Sequence, residues 1–599
     1  MLLKKIEDIS QQNAQLQKKN EDLHDETRRL QRKLKGDTSF STLFQQFHKA
    51  LTKYYNDGGQ SLYDPSKMER FCEEHAPGMF EDIYDAIFND EKRSPSKKRR
   101  KLQKSRVVAV LHNLSFFRNQ KNNRLQKANG LNLKFGGASY NSLMAGQVMG
   151  YSVHPNSVRN YQKELANKNQ TEIGKVIKEA TEKKIHIMLI EDDIHFIHAP
   201  QHPTCSTTST AWHMCTGLMD IQPSISAIPR PANCQKLYHI VPVVSKTGAI
   251  KQCRGGVSTG AILEHFKESI SHFFESTYMA TLSPQHRTIK MSDAKKSCEN
   301  LRVYSDEARD ELDLLKTTWL IDEFLQNLKS VPDYETSLNH LLTEAPDLQQ
   351  YLRHYVSFIT GDFPTWKYNK KIVAKWDPTV DPESPVPSLI PWQGPFHVSL
   401  NGEESTVLLF RPLFEKLYKA LFGRNKVLPN RPKPHKIVTL TTVAFGGWSI
   451  VREQVLQLFE PLCKDPEYML LLHLFDELLL LLFFLYNTVF RGGDFDHWLE
   501  ALLRVSLMFI TFRRRNCDKA TLCQLSDVIH HLKENAEVSS TIRKFLQTLT
   551  EKKVEIFHSV LRRNVIVWAL PAEIRTMAHA LSGRRFDCEF VEWFLPQYM

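Results

Sequence analysis

Apolar residues in the first 35 positions recur at a seven-residue spacing. Leucine or isoleucine occupies positions 2, 9, 16, 23 and 30, while the second heptad set includes Asn13, Asn20 and Thr27. This pattern predicts a coiled coil over residues 1–35, and asparagine in its seam favours a parallel, in-register dimer. We therefore expect a homodimer through this segment, the alternative being a single solvated helix.

A basic run separates two segments of helical pattern, residues 36–91 and residues 106–184. It reads KRSPSKKRRKLQK from Lys92 to Lys104. Such a run is typical of a nuclear-import or nucleic-acid-binding tail, and also of a disordered charged linker. We interpret residues 36–91 as a small helical segment and residues 92–105 as a basic linker, and we expect the protein in the nucleus.

The end of the segment 106–184 has the form of a helix, a short turn and a second helix. The sequence SYNSLMAGQVMGYSVHPNSVRNYQKEL places Gly150 in the turn and Arg159 and Lys163 at exposed positions of the second helix. A helix-turn-helix that reads DNA needs polar and basic residues there, although helices often pack around a glycine without binding DNA. Residues 106–184 are therefore a candidate DNA-binding segment.

From Ile185 the pattern changes to short apolar runs typical of strands. They read IHIMLI, FIHAP, AWHMCTGLMDI and LYHIVPVV. A helix is expected around Leu312–Leu328, and then two further strands, YVSFITG ending at Asp362 and SLIPWQG ending near His397. Residues 185–401 thus predict the strands of an α/β core. Residues 402–550 predict a helical insertion, and residues 551–599 predict the last helix and the end of the core.

The most apolar segment, MLLLHLFDELLLLLFFLY from Met469 to Tyr486, is long enough to span a bilayer. It holds His473, Asp476 and Glu477 near its middle. Polar groups at that depth are costly in lipid. The sequence therefore favours a buried core helix and no membrane partner.

The net charge of the chain indicates the kind of partner it binds. Lys and Arg number 79 against 67 Asp and Glu, a formal net charge of +12, which favours a polyanion such as DNA. The ten cysteines form no CxxC pair, which argues against a disulfide framework or a zinc ribbon and for a reducing compartment.

Three acids stand where elements of the predicted core end or pack. Asp192, with Asp193 as the alternative, lies at the end of the first strand, Asp362 at the end of a later one, and Glu555 on the helix KKVEIFHSVLRRN. Strand-end carboxylates on one sheet edge can converge. Gathered acids repel one another unless a hard divalent cation neutralises them. Two Mg²⁺ or Mn²⁺ ions about 3.5 to 4 Å apart would fit such a set.

Plainer interpretations remain open. Acids after strands commonly terminate strands or cap helices, and Glu555 can sit on a solvated helix face. Glu191 and Asp193 alternate to the other side of the strand from Asp192 and are expected to be solvated or to support the ligand. The residues His198, His202, Cys205, His213 and Cys215 have zinc-binding side chains, but their spacing fits no familiar closed site, so structural roles are preferred.

Several motifs in order resemble a family of uncharacterised, transposon-associated proteins of invertebrates and fungi. The matching stretches are NGLNLKF, MGYSVHPNSVRNYQKEL, EDDIHFIH, GDFPTW, LIPWQGPFHVSLN and VEIFHSVLRRN, which together run through roughly residues 105 to 599. This resemblance implies a transposase-like, ribonuclease-H-like core with a helical insertion. It further implies that Asp192, Asp362 and Glu555 are the catalytic, metal-binding acids of a DDE-type enzyme.

The chain departs from the family pattern at two places. Phe396 stands where similar sequences carry an acid, and Asn564 and Val565 replace the QT that follows the two arginines. Two hypotheses therefore remain: a transposase-derived protein that cleaves and transfers DNA strands with Mg²⁺ or Mn²⁺, or a catalytically inactive, domesticated relative that binds DNA or acts as a scaffold. In either case the basic residues Arg513, Arg514, Arg562 and Arg563 are candidate phosphate contacts.

Overall fold

A computed structural model describes twelve stretches of the 599-residue chain. They are residues 39–88, 96–199, 209–238, 240–244, 250–254, 257–266, 313–377, 379–460, 463–486, 489–490, 493–565 and 569–594. The predicted coiled coil, and with it the predicted dimer contact, lies outside these residues.

Along the chain, a helical N-terminal part is followed by a stretch rich in strands and then by a helical C-terminal part. The helices are α1 Phe40–Asn56, α2 Pro65–His75, α3 Met79–Phe88, α4 Lys97–Arg118, α5 Arg124–Phe135, α6 Tyr140–Val148, α7 Pro155–Glu182, α8 Thr259–His265, α9 Val331–Glu344, α10 Pro346–His354, α11 Phe363–Lys375, α12 Pro395–Leu409, α13 Arg411–Phe422, α14 Pro434–Phe459, α15 Pro466–Leu472, α16 Phe495–Thr511, α17 Cys517–Glu534, α18 Ala536–Phe545, α19 Lys552–Asn564, α20 Pro571–Gly583 and α21 Cys588–Phe594. The strands are β1 Ile185–His198, β2 Thr210–Ser226, β3 Ile228–Pro229, β4 Ile240–Val244, β5 Ile250–Arg254, β6 Thr318–Leu325, β7 Tyr355–Gly361 and β8 Leu389–Gln393.

The chain divides into two compact units. The first holds the residues up to Tyr161 together with Asp587–Pro596, and the second holds Gln162–Phe586. In the first unit, apolar side chains of α1, α2, α3 and α4 form one core, which includes Phe47, Met68, Phe80 and Leu111. Residues 97–104 of the predicted basic linker form the first turns of α4, where the Ser96 side chain accepts a hydrogen bond from the Arg99 backbone N–H.

The predicted helix, turn and helix around Gly150 is present as α6, a short turn and α7. Gly150 has a positive φ of 75°, a conformation that favours glycine. A Cβ there would also collide with the Phe117 ring. Arg159 and Lys163 are exposed on α7. Their contact with DNA stays a prediction.

The second unit is built on a mixed sheet of six strands, which confirms the predicted α/β class. The strand order is β6-β2-β1-β7-β8, and β3 pairs with the first residues of β7. Strands β6, β2 and β1 are antiparallel neighbours, whereas β7 and β8 run parallel to β1. A separate two-stranded sheet is formed by β4 and β5.

One face of the large sheet packs on an apolar layer of helices. Ile187, Leu189 and Met219 of the sheet join Leu338 and Tyr351, from α9 and α10, in this core. Successive strand residues point to opposite faces, so the even-numbered residues of β1, including Asp192, face away from this core. The functional question therefore concerns the second face of the sheet.

Two sequence predictions within the sheet are wrong. The predicted helix Leu312–Leu328 is helical only at residues 313–317 and becomes strand β6 from Thr318. Short apolar runs are ambiguous between helix and strand, and pairing with β2 decides this one. The predicted strand ending near His397 stops at Gln393, and His397 lies in the first turn of α12, which Pro395 begins. In addition, FIHAP is no separate strand, because Phe196–His198 continues β1.

The described part of residues 402–550 is mostly helical, as the pattern predicts, with short non-helical connections such as residues 423–433. The apolar segment ends as a π-helical stretch, His473–Tyr486, with Leu474, Leu478 and Leu482 buried. Asp476, one of its polar residues, forms an ion pair with Arg452 at 2.8 Å and accepts a hydrogen bond from Trp448. Among the described residues, no helix has the length and hydropathy needed to cross a membrane.

Candidate metal centre

A row of polar residues crosses the second face of the sheet. Asp192 on β1 is directly opposite Thr216 on β2, which in turn is opposite Glu323 on β6. On the other side, Ile190 is level with Thr360 in the parallel pair of β1 and β7. Asp362 follows the last residue of β7, and its charge acts on Asp192. Two of the three predicted acids therefore influence each other at this end of the sheet.

The close approach of β7 to β1 depends on Gly361. A Cβ at this position would collide with the Glu191 carbonyl oxygen and with the Thr365 side chain. Asp362 follows at once and is the N-cap of α11, where its Oδ1 accepts a hydrogen bond from the Thr365 backbone N–H at 2.9 Å. The plainer interpretation of Asp362 as a helix cap is therefore correct, and the Thr365 side chain also donates a hydrogen bond to it.

Helix α19 brings the third acid to the same face. Its Lys553 forms an ion pair with the buried Asp220 of β2 at 2.5 Å, which fixes the start of the helix against the sheet. Five residues later, the buried His558 has its Nδ1 3.7 Å from Asp192 Oδ2. Glu555, one helical turn before His558, is 31% exposed. The Glu555 side chain is therefore accessible to solvent.

His397 joins two acids of this helical segment. Its Nδ1 lies 3.0 Å from Oε1 of the buried Glu551, and its Nε2 lies 3.4 Å from Oε1 of Glu555. The His397 backbone N–H also donates to Glu551 at 2.9 Å. Burial lowers the pKa of His397, but these two carboxylates raise it well above its usual value. His397 is therefore a cation that holds Glu551 and Glu555 in place.

The pKa values show that the three predicted acids influence one another. Burial raises the pKa of Asp192 well above its usual range, and the charges of Asp362 and Glu555 raise it further. The pKa of Asp362 is also raised, chiefly by burial. Burial alone would raise the pKa of Glu555, but the hydrogen bond and charge of His397 lower it. The charge of His397 lowers the pKa of Asp192 and of Asp362, but burial outweighs it at both residues.

His558, which lies next to Asp192, is the first member of a hydrogen-bonded chain that continues through Thr216 to Glu323. His558 Nε2 lies 2.7 Å from Thr216 Oγ1, which lies 2.6 Å from Glu323 Oε2. Burial lowers the pKa of His558 to about 3 and raises the pKa of Glu323 to about 8. At neutral pH, His558 is therefore neutral and Glu323 is largely protonated. His558 consequently offers Asp192 no full positive charge.

Glu191, the neighbour of Asp192 in sequence, was expected to be solvated or to support the metal ligand. The first of these expectations is wrong. Glu191 is 1% exposed on the opposite face, where it accepts hydrogen bonds from Ser337 at 2.5 Å and Asn369 at 2.9 Å. Its carboxylate therefore links α9 and α11 to β1. Asp193 is half-buried and lies 3.0 Å from His195.

The predicted phosphate contacts differ in their surroundings. Arg562 and Arg563 are exposed on α19, and the charge of Arg562 acts on both Glu555 and His558. Arg514 is tied to Glu404 in an ion pair and donates to Asn401. Arg513 is exposed. Arg562 and Arg563 are therefore the two of these four arginines on the helix that carries Glu555.

Asp192, Asp362 and Glu555 do not form one of the groups of described residues whose possible ligand atoms all lie within 4.8 Å of one another. They remain a candidate donor set because their charges act on one another. They offer carboxylate oxygens, which Mg²⁺ and Mn²⁺ prefer, and burial, with neighbouring carboxylates, raises the pKa values of Asp192 and Asp362. Asp362 and Glu555 are partly exposed, so an ion can reach them from solvent. The sequence pattern identified Asp192, Asp362 and Glu555, but it missed Thr216, Glu323 and Glu551 because strand pairing and tertiary packing bring them in.

Comparison of the chain with family models, with curated proteins and with solved structures gave no significant match.

Proposed function

We propose that this chain is a transposase-derived, DNA-acting nuclear protein with a ribonuclease-H-like core. The strand order β6-β2-β1-β7-β8 supports the proposed fold, because three antiparallel strands followed by two strands parallel to the central one are the arrangement expected of such a sheet. The large helical stretch between β8 and α19 corresponds to the insertion that the motif resemblance implies.

The observation that carries the proposal is the electrostatic coupling of Asp192 to Asp362 and Glu555. Asp192 is on β1 and Asp362 directly follows the parallel strand β7, and the charges of Asp362 and Glu555 both raise the pKa of Asp192. A structural role alone would pair buried acids with cations or donors, as it does at Glu191. Acids whose pKa values are raised by burial and by one another, at a partly open sheet edge, are instead typical of a functional site.

In this proposal Asp192, Asp362 and Glu555 hold Mg²⁺ or Mn²⁺. The ions would supply activation of a hydroxyl nucleophile and stabilisation of the departing oxygen of a phosphodiester. The protein positions the ligands: His397 orients Glu555, the Thr365 backbone N–H orients Asp362, and His558 limits the movement of Asp192. Each ligand is thereby held on a regular element.

DNA is the proposed polyanionic substrate. The net charge of +12 and the exposed Arg562 and Arg563 on the acid-bearing helix support phosphate contact near the acids. Three further basic residues are proposed DNA contacts: Arg159 and Lys163 on α7, and Arg513. Nuclear location and dimerisation through residues 1–35 belong to the same proposal.

The direct test is cleavage of end-bearing DNA by the purified full chain with Mn²⁺. The Asp362→Asn variant is the informative one, because asparagine still caps α11 while it removes the charge. Loss of a metal ligand should lower the rate by on the order of a thousandfold, equivalent to several kcal/mol of transition-state stabilisation. Glu191→Gln, on the opposite face, should retain cleavage. Equal rates for wild type and Asp362→Asn would overturn the assignment.

A second candidate function is DNA binding without catalysis. The observation that favours it is His397, which already places a positive charge between Glu551 and Glu555 and so partly satisfies the acids without an ion. Phe396, which replaces an acid of the resembling family, favours it too. Metal-independent DNA binding, with no cleavage under any metal, would select this function over the first.

A further inference from the structure

A second group of potential metal ligands lies on the opposite face of the β1–β2 hairpin. Asp193, His195 and His213 each offer one donor atom, and these atoms all lie within 4.8 Å of one another. The sequence pattern drew attention to His213, but it grouped this residue with His198, His202, Cys205 and Cys215. In the structure, Cys215 is buried beside Ser337 at 3.2 Å, and His202 and Cys205 are outside the described residues.

The backbone fixes this group. His195 follows Asp193 by two residues and therefore points to the same face. His213 is directly opposite His195 in the antiparallel pair, a position in which side chains are close neighbours. The two imidazole rings meet edge to face with centroids 4.4 Å apart. Two paired strands thus present three ligands on one rigid surface.

The surroundings leave room for an ion. Asp193 and His195 are 34% and 52% exposed in their side chains, so water can complete a coordination sphere. His213 Nδ1 is buried and has no hydrogen-bond partner among the described residues. The charge of Lys329 acts on His213 and opposes a cation, whereas the charge of Asp193 favours one.

The donor types indicate the class of metal. Two imidazole nitrogens and one carboxylate oxygen suit borderline divalent ions such as Zn²⁺ and Co²⁺ better than Mg²⁺. In a tetrahedral zinc site with bonds of about 2.0 to 2.2 Å, donor atoms lie about 3.4 Å apart. Rotation of the half-exposed Asp193 and His195 side chains can close the remaining gap.

We propose that Asp193, His195 and His213 form a binding site for a Zn²⁺-class ion, with water as the fourth ligand. The site lies on the opposite face of β1 from Asp192, so it does not share ligands with the proposed Mg²⁺ or Mn²⁺ centre. It cross-links β1 and β2 next to their connecting segment. Its existence does not depend on whether the chain cleaves DNA.

The first experiment is titration of the full chain with Co²⁺, followed by visible absorption. Wild type should show the intense bands of a tetrahedral ion with nitrogen ligands. His213→Gln and His195→Gln should weaken binding by at least about tenfold, since even residues that only support a ligand commonly cost that much. His198→Gln, on the opposite face of β1, should bind as wild type does. Equal binding by His213→Gln would overturn the proposal.

A second experiment needs no variant and therefore does not depend on variant folding. Diethyl pyrocarbonate modifies accessible histidines, and the modified peptides are identified by mass spectrometry. Zn²⁺ should protect His195 more than the exposed His497, while Mg²⁺ should protect neither. Equal modification of His195 with and without Zn²⁺ would contradict the site. Failure of DNA cleavage would leave both results unchanged, so the two proposals fail separately.

Discussion

Two buried carboxylates in the same sheet, Asp322 on β6 and Asp192 on β1, have opposite surroundings. Asp322 accepts a hydrogen bond from Arg575 at 2.7 Å and contacts His340 at 2.7 Å and His579 at 3.0 Å. Burial alone would raise the pKa of Asp322, but these three partners lower it. Asp192 has other carboxylates as neighbours and a raised pKa.

The difference separates a structural acid from a candidate functional one. Asp322 joins β6 to α9 and α20 through fully compensated contacts, so its charge stabilises the fold. Asp192 gains little stability from its charge, because burial and neighbouring carboxylates favour its neutral form. Burial by itself therefore does not mark function; the sign of the net electrostatic environment does.

The largest expected effect on stability is that of Asp322→Ala. This change leaves the buried His579 and the Arg575 guanidinium without their shared partner, and breaking such a buried pair costs roughly 3 to 5 kcal/mol. We expect the lower end of that range because Arg575 and His340 reach solvent. The free energy of unfolding, measured by urea denaturation at pH 7, checks this.

The matched variant is Asp192→Ala. Removal of a mutually repelled carboxylate should change the free energy of unfolding by about 1 kcal/mol or less. If Asp192→Ala were as destabilising as Asp322→Ala, the contrast between the two acids would be wrong.

Glu323, next to Asp322, provides a test by pH. In the unfolded chain it titrates near 4.5, whereas burial raises its pKa to about 8 in the fold. Above pH 4.5 the unfolded state releases a proton that the folded state keeps, so the wild type loses stability as the pH rises toward 8. Relative to wild type, Glu323→Gln should gain up to about 1.4 kcal/mol per pH unit between about pH 5 and 7. A difference independent of pH would refute the assigned pKa.

A smaller effect is expected for Thr216→Val, which removes the hydroxyl between His558 and Glu323. Two buried groups then lose a hydrogen-bond partner, which should destabilise the fold by about 1 to 2 kcal/mol. Thr360→Val on β7 is the control, because the buried Thr360 Oγ1 has no hydrogen-bond partner among the described residues. Thermal denaturation of both variants should show a loss for Thr216→Val alone.

The sequence predicted the strands β1, β2, β7 and β8 because each is a distinct apolar run. It misassigned β6, whose run TWLIDEFL carries two acids that suit a solvated helix. Only pairing with β2 and burial against α9 and α20 explain why Asp322 and Glu323 are inside.

The candidate site, like the sheet, was predicted only in part. Asp192, Asp362 and Glu555 follow from strand ends and from motif order, and in the fold the charges of the last two act on Asp192. His397 was expected at the end of a strand, and its contact with Glu551 and Glu555 needs the packing of α12 against α19. Compensation of charge by distant residues has no local sequence signal, which is why the contrast between Asp322 and Asp192 appears only in the fold.

The most direct test of the acid centre is Mn²⁺ binding to the full chain by titration calorimetry. Wild type should bind Mn²⁺, and Asp192→Asn combined with Asp362→Asn should bind at least about tenfold more weakly. Glu191→Gln and His213→Gln should bind as wild type does, because neither residue lies on the acid-bearing face. Equal Mn²⁺ affinity in wild type and in the double variant would contradict the account.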